Sequence, residues 1–499
     1  MLRRRERETT DAEGSLSVPV ESHPSDEPEV LDESPERSLI PYLQNLRGRR
    51  MLWMISLLAI ALRLLLLPIG HPWDLTVDYN VFIDLIHNHS PYDTFTTLSN
   101  MAIAGHWDHV YEYYAYPPVP LYMYYPLAKI YGILHPHAQY FIALPGSYAV
   151  PSLGLDFFFL FKLPIWIADF LIATLLARMA GTIRGYRDYL LNPFVLLVSG
   201  AWTFDAIMLL GLIAAVYAIY RSKFIWAGIA LAFGTMVKFF PIIALPAIVI
   251  YLIKKNRPLR EIFFFVGSYV IACGVMLGPF ANGVLNVLTF HSSRPGGGMN
   301  WQDIWTSGAL FGDPSTLLPI LLAIGAFGTP ILIITFMLAC LYMWKVEMSL
   351  NRMIIVSVLA FFVGSKLINE QYAMLIIPFA WLEAHRVKGA WAWFYRLFWI
   401  IPIAFVTFHG PIDHFLWLLY YMVFKSRADI TVLTGMTGFE WTMIPWKHAP
   451  YAQAISVFLG FVFSILSLVA LLWPVARSTE RWKGLQRLRL KIEADRLPS

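Results

Sequence analysis

Residues 206–253 read AIMLLGLIAAVYAIYRSKFIWAGIALAFGTMVKFFPIIALPAIVIYLI. Their only charges are Arg221, Lys223 and Lys238, and no acid occurs among them. Three apolar runs of helix length are divided by a basic pair at one turn and by Lys238, soon followed by Pro241, at the next. So much uninterrupted apolar surface needs lipid as its solvent, and only helices hide their backbone polar groups there as single segments. Composition agrees. The 499-residue chain is 58% hydrophobic and 14% charged, with a mean hydropathy of +0.57, whereas a soluble domain carries about 25% charge.

The same punctuation continues outward in both directions. A spanning helix needs about 20 apolar residues, and Lys and Arg favour cytoplasmic loops. Basic clusters occur at Arg47–Arg50, at Arg178, Arg184 and Arg187, at Arg221 and Lys223, and at Lys254–Arg260. More follow at Lys345 and Arg352, at Arg386 and Lys388, and from Arg477 onward. With all of these inside, the helices are expected in pairs. Met51–Ile69 pairs with 157–177, Leu190–Trp202 with Ala206–Tyr220, and Phe224–Phe239 with Phe240–Ile253. Then 262–281 pairs with 317–344, 353–365 with 372–385, and 391–409 with 454–474. The expectation is an all-α polytopic membrane protein of about twelve transmembrane helices with both ends of the chain inside. Val119–Leu134 breaks the parity: it is a re-entrant or interfacial segment, or one basic cluster is misplaced.

The flanks read differently. Residues 1–45, rich in Arg, Glu, Asp, Ser and Pro, are expected to form a disordered cytosolic tail. Met51–Ile69 begins too far along for a secretory signal, and no small-residue cleavage site follows, so it reads as a first transmembrane helix. Residues 46–476 form the membrane domain, with external loops near 71–116, 282–312 and 410–450, and 477–499 form a basic cytosolic tail. Cys273 and Cys340 both lie in apolar runs, which argues against a disulfide framework or a structural metal site. The net charge of +5 sits in short loop clusters, a pattern for topology and a bilayer partner, not nucleic acid.

Chemistry-bearing residues are expected at the external ends of these helices. The first loop runs His71-Pro72-Trp73-Asp74-Leu75-Thr76-Val77-Asp78-Tyr79 and on through Asp84, Tyr92 and Asp93 to Tyr116. A carboxylate just past a helix end can take a proton from an attacking hydroxyl; for Asp93 and Asp108 a plain solvated loop accounts for the charge as well. Asp205 follows Trp202-Thr203-Phe204 at the tip of a tight helical pair, and Lys238 lies at another tip. Lys238 either snorkels to the interface or binds an anionic group with Asp205 as neighbour. Lys366, Asn369, Glu370 and Tyr372 make a further polar break, read as a solvated loop or a substrate contact. The second loop, Phe290-His291-Ser292-Ser293-Arg294-Pro295-Gly296-Gly297-Gly298, offers Arg294 as a planar fork for phosphate and His291 as a further donor. Asp169 stands apart in mid-helix, open to structural pairing or catalysis.

Taken together, VDYNVFIDLIHNHSPYD (77–93), YAYPPVPLYMYYP (114–126), LLNPFVLLVSGAWTFDAI (190–207) and MVKFFP (236–241), with a weaker echo at NEQY (369–372), resemble the GT-C glycosyltransferases. The likeness is nearest to the polyprenol-phosphate-mannose-dependent α-mannosyltransferases of bacteria and to the catalytic subunit of the GPI-anchor first mannosyltransferase. It covers about residues 70–255 in motif order and spacing. It implies an external active site, a sugar donor on a polyprenyl phosphate, a glycan or lipid-linked acceptor, and inversion at the anomeric carbon. By position Asp78 matches the base. The GPI enzyme has Asp-x-Asp here, and this chain has Thr76-Val77-Asp78, so a metal role for the pair is in doubt unless Asp74 or Asp84 substitutes. No cofactor is expected, and a divalent metal is weakly supported. Arg294, Lys238 and His291 are candidates for the donor phosphate. Tyr79, Tyr92, Tyr116, Lys366 and Glu370 are candidates for substrate contact, with Asp205 in support. The expected location is a cell membrane in a prokaryote or the ER membrane in a eukaryote. The rival reading is a transporter or flippase for a lipid-linked or anionic substrate, with Asp169 and Lys238 lining a pathway.

Overall fold

The computed structural model describes residues 46–67, 80–93, 114–136, 155–201, 204–293, 297–299, 301, 327–387, 389–409 and 450–478. The 1–45 tail, the stretch 410–449 and everything from 479 onward lie outside the described residues. What is described is almost wholly helical. In chain order the helices are α1 (Leu46–Leu65), α2 (Val119–Leu134), α3 (Leu155–Ala180), α4 (Ile183–Leu190), α5 (Pro193–Ala201), α6 (Asp205–Tyr220), α7 (Phe224–Val237) and α8 (Ala244–Lys254). They continue with α9 (Leu259–Leu277), α10 (Ala281–Ser293), α11 (Gly328–Lys345), α12 (Leu350–Gly364), α13 (Ile377–Val387), α14 (Ala390–His409) and α15 (Pro450–Ser478). Two short strands, β1 (Gly297–Gly298) and β2 (Leu367–Ile368), pair in parallel.

The chain is a multi-span membrane protein. Five described helices are long and apolar enough to cross a bilayer: Leu155–Ala180, Leu259–Leu285, Gly328–Lys345, Ala390–Phe408 and Ala454–Trp473. Four shorter apolar helices accompany them: Asp205–Tyr220, Phe224–Val237, Phe240–Lys254 and Leu350–Gly364. In α1, Ile55, Ala59 and Arg63, spaced four apart, are buried while Trp53, Met54 and Leu57 are exposed. That stripe turns one face to the bundle and the other to lipid.

Small residues bring the central helices together. A Cβ on Gly211 of α6 would stand 2.5 Å from the Gly234 Cα of α7, and one on Gly228 of α7 would collide with Ser268 and Phe265 of α9. Without a hydrophobic force between helices in lipid, such close backbone approach is what holds them.

Three expectations change. Leu190–Trp202 is not one crossing: it breaks at Asn192, whose Oδ1 accepts from Phe194 N at 2.9 Å and Val195 N at 3.3 Å and so caps α5. The nine residues of α5 rise only about 14 Å, half a hydrocarbon core. Next, the stretch from 282 is helical through Ser293, because a 3₁₀ turn at Gly278–Phe280 carries α9 on into α10. Lastly, both ends of α2 meet residues from one end of the bundle. Tyr122 Oη donates to Met276 O at the C-terminus of α9, and His135 meets Asp156 at the N-terminus of α3. The helix is thus tied at both ends to one end of the bundle, as the interfacial or re-entrant alternative has it.

Candidate functional site

The polar centre at that end is assembled by helix termini. Asp205 is the first residue of α6 and Lys238 caps the C-terminus of α7. A helix N-terminus favours a carboxylate and a C-terminus favours a cation, so the antiparallel pair presents both charges where each is stabilised. They meet as an ion pair, Lys238 Nζ to Asp205 Oδ2, at 2.7 Å, with side chains 4% and 1% exposed. Pro241 stops α7 from continuing, and the chain turns through Phe240–Ile243 into α8.

Aromatic rings close around the pair. Lys238 Nζ lies 5.2 Å from the Tyr116 ring centroid and 6.0 Å from that of Tyr372, within cation–π range. The Tyr116 ring is edge-on to Phe204 at 5.2 Å, and Tyr372 packs on Phe240 at 4.2 Å. Phe204 holds a left-handed backbone at φ 52°, uncommon for a bulky residue, with its ring buried. Such strain concentrates where the surrounding structure fixes a functional tip.

A second layer fixes the first. Tyr92 Oη donates to Tyr116 O at 2.7 Å, and Tyr114 Oη donates to Pro117 O at 2.6 Å. Burial pushes the Tyr92 phenol up, away from ionisation, as suits a hydroxyl used as a hydrogen-bond donor. On the far side β2 leads into the 3₁₀ turn Glu370–Leu375 that carries Tyr372. Its partner β1 brings in the Gly297–Met299 segment, with Met299 N donating to Ile368 O at 2.7 Å. Trp301 then anchors by donating Nε1–H to Val363 O at 2.8 Å. Lys366 lies at the bend just before β2, where burial pulls its ammonium pKa down.

Of the residues expected from sequence, the structure thus brings Tyr116, Asp205 and Lys238 into contact, with Tyr92 behind them. Glu370 opens the turn that delivers Tyr372, and Lys366 stands just before β2, which leads into it. Asp84 is 1% exposed on the helical stretch 80–86, four residues from the equally buried Asn80. Asp74, Asp78, Tyr79 and Arg294 lie outside the described residues, and so does the His291 side chain, although its backbone belongs to α10. Among the described residues no group of three or more His, Cys, Asp and Glu side chains is arranged to hold a metal ion.

Comparison with protein-family models finds no match, and comparison with curated proteins finds none either. The likeness to GT-C enzymes therefore rests on the quoted motifs.

One buried network was legible only in part. Asp169, 0% exposed, pairs with Arg63, 1% exposed, at 2.8 Å, and accepts from Tyr189 Oη at 3.2 Å. Arg63 Nη1 also donates to Leu190 O at 3.3 Å, where α4 ends and the crossing breaks. Carbonyls freed by a broken helix need such a donor in lipid. Lys162 serves α1 likewise, its Nζ donating to Leu66 O at 3.3 Å and Leu67 O at 2.7 Å past the helix end. Arg63 and Lys162 were the available signals: each is a lone cation inside an apolar run.

Proposed function

We propose that the chain is a glycosyltransferase of GT-C type with about twelve crossings, transferring a hexose from a polyprenyl-phosphate donor to a glycan or lipid-glycan acceptor. Mannose is the sugar the resemblance favours. One observation carries the reading. Tyr116, Asp205, Lys238 and Tyr372, drawn from four separated stretches that all carry the resemblance, converge at one end of a membrane bundle. A transferase acting on a lipid phosphate needs cations and donors where leaving-group charge develops, an apolar groove for the prenyl tail, and a carboxylate base.

In this reading Asp78 takes the proton of the acceptor hydroxyl as its oxygen attacks the anomeric carbon and the polyprenyl phosphate departs. Arg294 and His291 hold the departing phosphate. Lys238 is held by Asp205 and flanked by two tyrosine rings, so a phosphate oxygen reaches it where one ring moves aside. Aromatic rings beside a charge also suit a sugar, whose C–H faces stack on them.

The test is transfer by the purified chain in proteoliposomes loaded with polyprenyl-phosphate-mannose and lipid extract as acceptor. Glycosidic product from wild type and none from Asp78→Asn, with donor binding retained, is the expected result. Product at the wild-type rate from Asp78→Asn sinks the assignment. The transporter reading has one observation in its favour, the buried Arg63–Asp169 pair inside the bundle. Against it, the pair already serves the break at Leu190. Unmodified substrate accumulating inside the vesicles, with no glycosidic product, would favour transport.

A further inference from the structure

The opposite end of the bundle holds a cavity of about 480 Å³, within the range of small-ligand sites. Its walls come from three helices, with Arg184, Arg187 and Asp188 of α4, Trp381 of α13, and Tyr395 and Arg396 of α14. Close packing sets its width: a Cβ on Gly185 would come 3.0 Å from the Trp381 ring, so any side chain there would push the indole back by a few tenths of an ångström.

The charges around this cavity do not cancel. Asp188 Oδ1 is taken by Arg187, at 2.8 Å from Nε and 2.7 Å from Nη2, and its Oδ2 accepts from Trp381 Nε1 at 3.1 Å. Arg184 and Arg396 are exposed and have no carboxylate within ion-pair distance among the described residues. Two guanidinium groups that no described carboxylate pairs with therefore border the cavity, each a planar fork matched to phosphate oxygens. The Tyr395 hydroxyl accepts from Asn192 Nδ2 at 3.3 Å, which leaves its own proton to donate. The His385 ring stacks on Trp381 at 5.1 Å and completes the wall.

The surroundings identify the source of the phosphate. Trp393, 64% exposed, lies 5.3 Å beneath the Arg396 guanidinium. An exposed tryptophan beside a cation at a helix end is the pattern of a membrane–water boundary. Two turns beyond Trp393 along α14, Ile400 is exposed as well, so an acyl chain has an apolar track leading from the cavity.

We infer that this cleft seats the phosphate headgroup of an anionic membrane lipid. Basic pockets between helices at the cytoplasmic side recognise such headgroups, and this end carries the basic clusters. A free phosphate offers the same oxygens but nothing to lie along Trp393 and Ile400. The inference stands apart from the proposed transfer reaction.

The test uses the full chain in detergent micelles, titrated with phosphatidylglycerol or phosphatidylcholine and read by native mass spectrometry. Wild type should retain phosphatidylglycerol in preference. Arg184→Gln with Arg396→Gln should weaken that binding about thirty-fold, and Arg184→Lys with Arg396→Lys should keep most of it. Both side chains are exposed, and matching elution profiles check that the variants fold. Equal phosphatidylglycerol affinity in wild type and the glutamine pair overturns the inference. So does displacement of the lipid by equimolar inorganic phosphate, which would assign the cleft to a free anion.

Discussion

Lys238 and Asp205 are the residues whose replacement says most, because each is almost fully buried against the other. Removing one partner of a buried pair leaves an uncompensated charge, at a cost of about 3–5 kcal/mol, whereas removing both is often neutral. Lys238→Met alone should therefore lower the unfolding temperature sharply in detergent, and Lys238→Met with Asp205→Leu should recover most of the loss. Transfer activity then separates the roles. A double variant that folds and stays inactive means that the charges serve substrate; one that folds and transfers means that the pair only holds the tip. A second expectation concerns metal. With Thr76 where an acid would complete Asp-x-Asp, transfer should persist at an unchanged rate in excess EDTA; loss that Mn²⁺ or Mg²⁺ restores would show a metal requirement. At this scale the sequence was informative wherever a charge interrupts an apolar run. Asp205 and Lys238 were legible as neighbours because both sit at ends of one helical hairpin. Asp169 was legible as an oddity but not as a member of a pair, since its partner Arg63 is 106 positions away and nothing local announces the contact. Tyr372 shares a centre with Tyr116 through its packing on Phe240 and its place beside Lys238, contacts between distant segments that leave no periodic signal.

The elements were legible as far as hydrophobic length allows. Where a long, mostly apolar run has a basic residue at or just beyond one of its ends, as in α3, α7 and α14, expected and observed limits agree within a few residues. Errors fall where capping overrides hydropathy. Asn192-Pro193 opens a new helix inside what reads as one run, and Gly278-Pro279 tightens a turn without ending the helix, so a loop was expected where α10 stands. The packing of α6, α7 and α9 was not legible at all, because a glycine reveals a close contact only once its neighbour is known. It yields a sharp expectation. A side chain at Gly228 meets the Phe265 carbonyl and the Tyr269 amide, backbone atoms that cannot rotate away. Gly228→Val should cost about 1–3 kcal/mol or more, read as a lower unfolding temperature. Gly267→Ala on α9, where a Cβ meets nothing within 4 Å, should leave it unchanged. Equal behaviour of the two variants would dissolve the argument that small residues set this helix contact.

For the whole molecule, the basic clusters identified from sequence prove to be joined by contacts. Arg257 reaches Ser222 at 3.4 Å, and Lys254 reaches Val346 O at 2.7 Å and Glu347 at 3.1 Å. Arg352 pairs with Glu383 at 2.7 Å, and Trp381 donates to Asp188 at 3.1 Å. Helix α4 and the turns after α6, α8, α11 and α13 or before their successors therefore share one end. The tyrosine cluster, the tip at Phe204 and the ends of α2 share the other. Since Lys and Arg in short loops set orientation, the basic end should face the cytosol and the tyrosine cluster the outside. Single-cysteine variants read this directly, made after replacing Cys273 and Cys340 with alanine. His89→Cys lies in the exposed turn beside Asn88, which accepts from Tyr125 Oη at 3.0 Å on α2, and Glu347→Cys lies in the opposite turn, 87% exposed. In intact cells or sealed right-side-out vesicles a membrane-impermeant maleimide should label His89→Cys alone, and both after permeabilisation. Labelling of Glu347→Cys alone would invert the protein and move the tyrosine cluster to the cytosol. An external lipid-phosphate donor would then have no access to it, and the proposed transfer reaction would fail with the topology.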